Sequence, residues 1–358
     1  MIHISVIGTG YIATRFIKLI DHYNDVYLDF VLTRREIDQV WGKLPHVTRD
    51  PAALLESDII VDFAGDAKYL YSLIKNYYSK SKIVTFNSEF HVTYTDIQKE
   101  FPELQITEGE GDQPGSFAML NRQVRYLGFD PMTFINNKRY LDYNPAPENM
   151  KRWADTYGLS ENITVASTDG TKVSFETAFI ANVYGLTIPT NGNKSYYFDE
   201  GYPPDGCDKY AYVKMTYNKG ISIDAITTKE TKVKDLQYLG IKIVKGSDEH
   251  LWATFELPYH LCQYDIINTI RDLYYRNYIL VNGSFGEPRY NVYAISKTWL
   301  APGEIIKTGI GGYDVRGEIK EIKSHKNALP IIDCKNVKVK TSIEPGMLIT
   351  KDMVEPIN

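Results

Sequence analysis

Cysteine is scarce in this chain: among 358 residues there are three, Cys207, Cys262 and Cys334, far apart and odd in number. That excludes a disulfide framework and any local zinc motif. Long apolar runs are missing as well, none approaching the ~20 residues that a membrane-spanning helix needs. The opening MIHISVIGTG enters a strand at once, with no basic region ahead of an apolar core, so a cytoplasmic location is expected rather than secretion. Positive charge is not in excess. Forty Lys and Arg stand against 45 Asp and Glu, a net charge of −5, which argues against nucleic acid or an anionic membrane as partner. Nothing resembles a serine or cysteine nucleophile elbow, and the seven histidines show no metal-binding spacing.

What remains is a globular composition, with 43% hydrophobic residues to fill cores and a length that implies two or three domains. The first stretch alternates strand and helix signals. IHISVIG, YLDFVL, DIIVDFAG, KIVTFNS and LQITEG are short and apolar, each ended by a polar or glycine turn. Between them lie helical stretches such as YIATRFIKLIDH, where Ile12, Phe16, Leu19 and Ile20 recur at helical spacing. Crossovers of this kind build a parallel α/β sheet. After residue 130, GFDPMTFINNKRYLDYNPAPENM is rich in Pro and Asn and reads as a domain exit with a long loop. Helices at SFETAFIANVYG and YDIINTIRDLYYRN and strands at YAYVKMTY and GISIDAIT follow. The expected division is 1–130, 131–290 and 291–358. The last segment holds LAPGEII and IEPGMLI, which share a Pro-Gly frame suited to type II turns. They read either as related or as two independent turns.

IGTGYIA places Gly8, Gly10 and Ala13 in the G-x-G-x-x-A frame between a strand and a helix. Gly8 allows the tight turn and Gly10 lets backbone approach a pyrophosphate. The first helical turn, Tyr11 and Ile12, then presents unpaired N–H groups to the anion. Asp29 lies at about the distance of a ribose-binding acid, but FVL follows it, so the strand continues past it. The strand ends in Thr33-Arg34-Arg35, whose hydroxyl and guanidiniums suit a 2′-phosphate unless both arginines are merely solvated. NADP(H) is therefore expected over NAD(H). Other strand ends bring Ala64, Gly65, Asn87 and Glu89 to the coenzyme.

TEGEGDQPGS, residues 107–116, packs acids and glycines ahead of an apolar stretch. Asp112 could cap the helix that Pro114 begins, whereas Glu108 and Glu110 are not needed for capping. The acids are expected to form a wall of a substrate pocket, with Glu110 and Asp112 as catalytic candidates. Lys138 in INNKRY, and Asp169 and Lys172 in TDGTK, complete that set. A lysine held by carboxylates supplies a proton and a positive charge to a developing alkoxide. STDGTK can equally be a plain turn plus helix cap. His91 reads as a surface or packing residue, and no metal ligands are assigned.

VIGTGYIATRF, VDFAGD, TFNSEF, EGEGDQPGSFAMLNRQVRYLGF, NNKRY and STDGTKVSFETAFIANVYGL resemble homoserine-dehydrogenase-like oxidoreductases with a C-terminal SAF domain. KTWLAPGEIIKTGIGGYDVRGEI and VKTSIEPGMLITKDMV resemble the SAF domain itself. The resemblance implies a doubly wound Rossmann sheet, an α+β substrate and dimerisation domain, a small β-rich cap and a homo-oligomer. Where true homoserine dehydrogenases carry a strand-end lysine, this chain has Asn87-Ser88, so homoserine does not carry over as substrate.

Three functions follow. The leading one is an NADP-dependent oxidoreductase for a small hydroxylated carbonyl compound, with sugar-derived carbonyls among the candidates. A second is an NADPH-dependent reductoisomerase of a ketose phosphate, resembling deoxyxylulose-phosphate reductoisomerase, with a divalent metal on Glu108, Glu110 and Asp112. A third is a non-catalytic coenzyme sensor.

Overall fold

A computed structural model describes residues 1–36, 46–188, 209–216, 220–246, 249–283 and 286–357; Cys207 lies outside them. The chain forms two compact units, Met1–Leu120 with Tyr259–Phe285, and Asn121–Pro258 with Gly286–Asn358. Among the described residues no helix is long and apolar enough to cross a membrane.

The first unit is built on β1 (Ile2–Ile7), β2 (Val26–Leu32), β3 (Val47–Thr48), β4 (Ile59–Asp62), β5 (Lys82–Thr85) and β6 (Gln105–Glu108). All neighbours pair in parallel, in the order β3-β2-β1-β4-β5-β6. This is the strand order of the doubly wound Rossmann fold, with its switch point between β1 and β4. Ile59 to Asp62 are all buried, as a strand covered on both faces requires.

The helix Cys262–Arg276, expected within the 131–290 segment, belongs to this unit. Ile266, Ile267, Ile270 and Leu273 recur at helical spacing and share one core with Ile4, Val6, Phe16, Ile59 and Val61. Each such buried aliphatic side chain contributes about 1.5–3 kcal/mol. Arg271 fixes the helix from outside through two bonds to the Asp25 carboxylate, 2.8 and 2.7 Å. The same bonds hold the Asp25 carboxyl below its usual range.

The second unit corrects the loop expected after residue 130. Phe129–Lys138 is a ten-residue strand, β7. It lies between β8 (Tyr210–Met215) and β9 (Gly220–Thr227), in a sheet completed by β11 (Leu251–Leu257) and β10 (Val244–Lys245). Pro131 argues against a strand in the sequence because proline cannot donate to a ladder. It is tolerated here at an irregularity, where the register with β9 shifts between Pro131 and Thr133. The helix Thr171–Tyr184 is buried along Val173–Ala181, as expected of a helix covered on all sides. It contacts β8 as well as β12 (Tyr290–Ser296) and β13 (Val315–Glu321). Thr171 Oγ1 accepts the Gly317 N–H at 2.8 Å, and Asn182 brackets Tyr290 through both backbone groups at 2.9 Å.

The two Pro-Gly frames prove to be partners. Leu300 and Ile343 exchange backbone bonds of 2.9 and 3.0 Å. Gly303 donates to Val339 O, and Gly346 donates to Ser296 O, both at 2.8 Å. Both glycines have positive φ, +95° and +82°, as the third position of a type II turn demands. Each frame therefore pairs with the other through backbone hydrogen bonds.

Candidate functional site

In the first unit the expected coenzyme residues gather at the carboxyl ends of the strands. Gly8 has φ +111°, and a Cβ there would meet the Phe63 backbone at 3.3 Å. Gly10 faces open space, with nothing within 4 Å of a Cβ. It precedes the helix Tyr11–Ile20, whose N-terminus has no side-chain cap bond. A dinucleotide pyrophosphate needs this combination: a tight turn, room against the backbone and helix N–H groups facing it.

Strand β2 ends at Leu32, which puts Thr33, Arg34 and Arg35 in the turn beyond it. Thr33 is buried, and its Oγ1 lies 3.4 Å from Thr9 Oγ1 and accepts the Arg35 N–H at 3.1 Å. Arg34 is exposed, stacks over the Tyr69 ring at 4.4 Å, and donates to Asp66 Oδ2 at 2.8 Å. Asp29 is engaged mid-strand by His3 Nδ1 at 2.8 Å and Ser57 Oγ at 2.6 Å.

On the other side of the switch point, Asp62 ends β4. It accepts the Ala64 N–H and the Thr85 hydroxyl, each at 2.9 Å. Gly65 follows with φ +62°. Asn87 caps the helix Ser88–Thr93 by accepting the Phe90 N–H at 3.0 Å, and Glu89 lies buried in its first turn.

Full burial pushes the Asp62 carboxyl up to about 6, against the opposing pull of its hydrogen bonds. A carboxyl raised on folding keeps its proton after the unfolded chain has released it. Stability therefore falls as pH rises from about 4 to 6, by on the order of 3 kcal/mol. Asp62→Asn removes that decline, because the amide still accepts from Ala64 and can donate to Thr85. Urea unfolding at pH 4, 5, 6 and 7 checks this; parallel pH profiles for the two proteins would refute it.

The TEGEGDQPGS segment is more enclosed than a pocket wall. Glu108 is fully buried, accepts the Asn87 N–H at 3.3 Å, and lies 3.2 Å from His91 Nε2. His91 is buried rather than on the surface, and desolvation lowers its pKa to about 3, which keeps it neutral. Glu110 is bound at both ends to the helix Cys262–Arg276. Its N–H donates to Thr269 Oγ1 at 2.9 Å, and its carboxylate accepts from Asn268 at 3.2 Å. Asp112 is buried directly ahead of the helix Gln113–Tyr126, and its carbonyl accepts the Ser116 N–H. Gly115 is obligatory, since a Cβ there would stand 1.8 Å from Gly109 O.

In the second unit, Lys138 is the last residue of β7. Its Nζ lies 3.2 Å from Glu176 Oε2, which also accepts the Asn136 amide at 2.8 Å. Lys172 sits one turn before Glu176 on the helix Thr171–Tyr184, so both project from one helix face. Asp169, expected beside substrate, is fully buried. It accepts the Thr171 N–H at 2.9 Å and lies 2.6 Å from Lys297 Nζ. Its observed role is to hold the turn that starts the lysine-bearing helix. Sequence reading missed Glu176 and Lys297. Glu176, one turn after Lys172, was the one with a local signal.

Residues 111–266 match the family model described as Oxidoreductase DRL, catalytic domain. That model describes an oxidoreductase, is not a homoserine dehydrogenase model, and does not reach the 291–358 segment. No curated protein matches the chain. Similar solved structures include biliverdin reductase from Synechocystis sp. PCC 6803, in complex with biliverdin and NADP+, at 12% identity. The match covers 78% of this chain and 93% of that one, with a TM-score of 0.40. An oxidoreductase from Bacillus cereus follows at 12% identity, 76% and 89% coverage, and TM-score 0.40. Dihydrodipicolinate reductase from Paenisporosarcina sp. TG-14 is 11% identical over 77% and 95%, with TM-score 0.37. Likeness this remote carries no argument about the chemistry of this chain.

Proposed function

We propose that the protein is an NADP(H)-dependent oxidoreductase acting on a small hydroxylated carbonyl compound. The observation that carries this reading is the strand-end cradle. Gly8 turns the chain, Gly10 leaves room, and the uncapped helix after it offers N–H groups where a pyrophosphate would bind. The similarity of residues 111–266 to an oxidoreductase catalytic domain supports it independently.

Bound nicotinamide supplies or accepts the hydride. The chain's own groups do the rest. Thr33 and Arg34 would hold a 2′-phosphate, Arg34 giving up its 2.8 Å bond to Asp66 to do so. Lys138 or Lys172 would supply a proton from Nζ to the oxygen of a carbonyl that accepts hydride, and Glu176 anchors the Lys138 ammonium at 3.2 Å. A sugar-derived substrate and a homo-oligomeric state belong to the same proposal, as does a SAF-type role for 291–358.

The direct test is NADPH oxidation over a panel of aldoses, ketoses, sugar phosphates and semialdehydes. Coenzyme binding without turnover on any of them would identify a sensor instead. Arg34→Ala should weaken NADPH binding by about ten-fold or more, the worth of one charge-assisted contact, and leave NADH unchanged. Calorimetric titration with each coenzyme reads this; equal losses for both would move the 2′-phosphate elsewhere.

A further inference from the structure

We propose that Asp112, His260 and Cys262 form a three-ligand site for zinc or a similar thiolate-binding divalent metal. A carboxylate oxygen, an imidazole nitrogen and a thiol sulfur here all lie within 4.8 Å of one another. Asp112 and Cys262 are buried and His260 is exposed. This proposal is independent of the coenzyme reading.

The scaffold fixes two of the ligands. The loop bearing Asp112 is tied to the helix that begins at Cys262 by the Glu110–Thr269 and Glu110–Asn268 bonds. Gly111 approaches so closely that a Cβ on it would stand 2.7 Å from Cys262 Cα, and the Cys262 thiol donates to Gly111 O at 3.3 Å. Tetrahedral zinc, with bonds of about 2.0–2.3 Å, keeps its donor atoms about 3.3–3.5 Å apart. The set therefore needs to contract by at most about 1.5 Å, a movement on the scale of small side-chain rotations of the three ligands.

The donor types decide the metal. Magnesium and calcium take oxygen ligands, whereas mixed sulfur, nitrogen and oxygen donors suit zinc, cobalt(II) or iron(II). The reductoisomerase reading placed a metal on Glu108, Glu110 and Asp112. Glu108 instead faces His91, so that all-carboxylate set is not what the fold assembles. Three protein ligands leave a fourth position for water or another oxygen donor. On binding, the Cys262 S–H bond breaks, a metal–sulfur bond forms and the proton passes to solvent. The site lies just past the end of β6, on the edge of the sheet where crevice ligands bind.

The test uses the full chain, dialysed against a chelator and titrated with cobalt(II), then zinc. The expected result is one equivalent of cobalt(II), with a thiolate-to-metal charge-transfer band and tetrahedral visible bands, both displaced by zinc. Cys262→Ser should lose the charge-transfer band. Should the buried Cys262→Ser protein not fold, His260→Ala carries the test, because that side chain is exposed; it should weaken cobalt(II) binding at least ten-fold. No stoichiometric uptake by the parent protein, or the same spectrum and affinity in His260→Ala, would overturn the proposal.

Discussion

Replacing both Lys138 and Lys172 by methionine should lower kcat by about 10²–10⁴-fold, the usual contribution of a positioned proton donor, with NADPH affinity nearly unchanged. Each lysine sits where a rigid element fixes its stem, Lys138 at the last position of β7 and Lys172 in the first turn of the helix Thr171–Tyr184. Glu176, 1% exposed, anchors the Lys138 ammonium at 3.2 Å and lies one helical turn after Lys172. Its carboxylate accepts from Asn136 and contacts Lys138, which holds that ammonium in a narrow range of positions. The single variants apportion the effect: the donor's own replacement lowers kcat, while the other mainly raises KM. Removing Lys138 also leaves part of the Glu176 charge unbalanced, so thermal melting is run in parallel to separate activity from stability. Full kcat in the double variant would remove the lysines from the chemistry.

Lys297→Met should cost about 3–5 kcal/mol of stability, the range seen when one member of a buried ion pair is deleted. The side chains of Lys297 and Asp169 are both 0% exposed. Lys297 Nζ, 2.6 Å from Asp169, also donates to Gly312 O at 2.8 Å. Burial pushes the Lys297 ammonium below its usual range, and Asp169 pulls it back. Methionine fills a similar volume but strands the Asp169 carboxylate at a position closed to solvent. Replacing Asp169 by Asn in the same protein should recover part of the loss, since the amide carbonyl still accepts from Thr171 N–H. Chemical denaturation measures both; a loss below about 1 kcal/mol for Lys297→Met would show that water or another cation reaches Asp169.

How much of this was legible depended on the distance over which each feature is encoded. The first sheet was readable because its strands are short apolar runs ended by turns, and because Gly8 and Gly10 act within their own loop. The end of β2 at Leu32, with Thr33 and Arg34 beyond it, followed from the same local logic. Strand β7 was not readable, since Pro131 is excluded from a regular ladder and only the shift against β9 admits it. Ile266, Ile270 and Leu273 announce a buried helix face but cannot say which sheet receives it. The acids of TEGEGDQPGS were visible, but not their burial, because Asn268, Thr269 and Cys262 lie far along the chain. Asp169 was read as an active acid because Lys297, its partner, is likewise distant in sequence.

The helix Cys262–Arg276 also constrains the order in which the molecule can be made. Its isoleucines and Leu273 fill the core of the amino-terminal sheet, so those strands stay incomplete while the ribosome synthesises residues 121–258. At about 5–20 residues per second that interval lasts roughly seven to thirty seconds. During it, the apolar faces of β1, β4 and the helix Tyr11–Ile20 wait for their missing partner. Such a nascent chain has reason to engage a chaperone before its first unit can close.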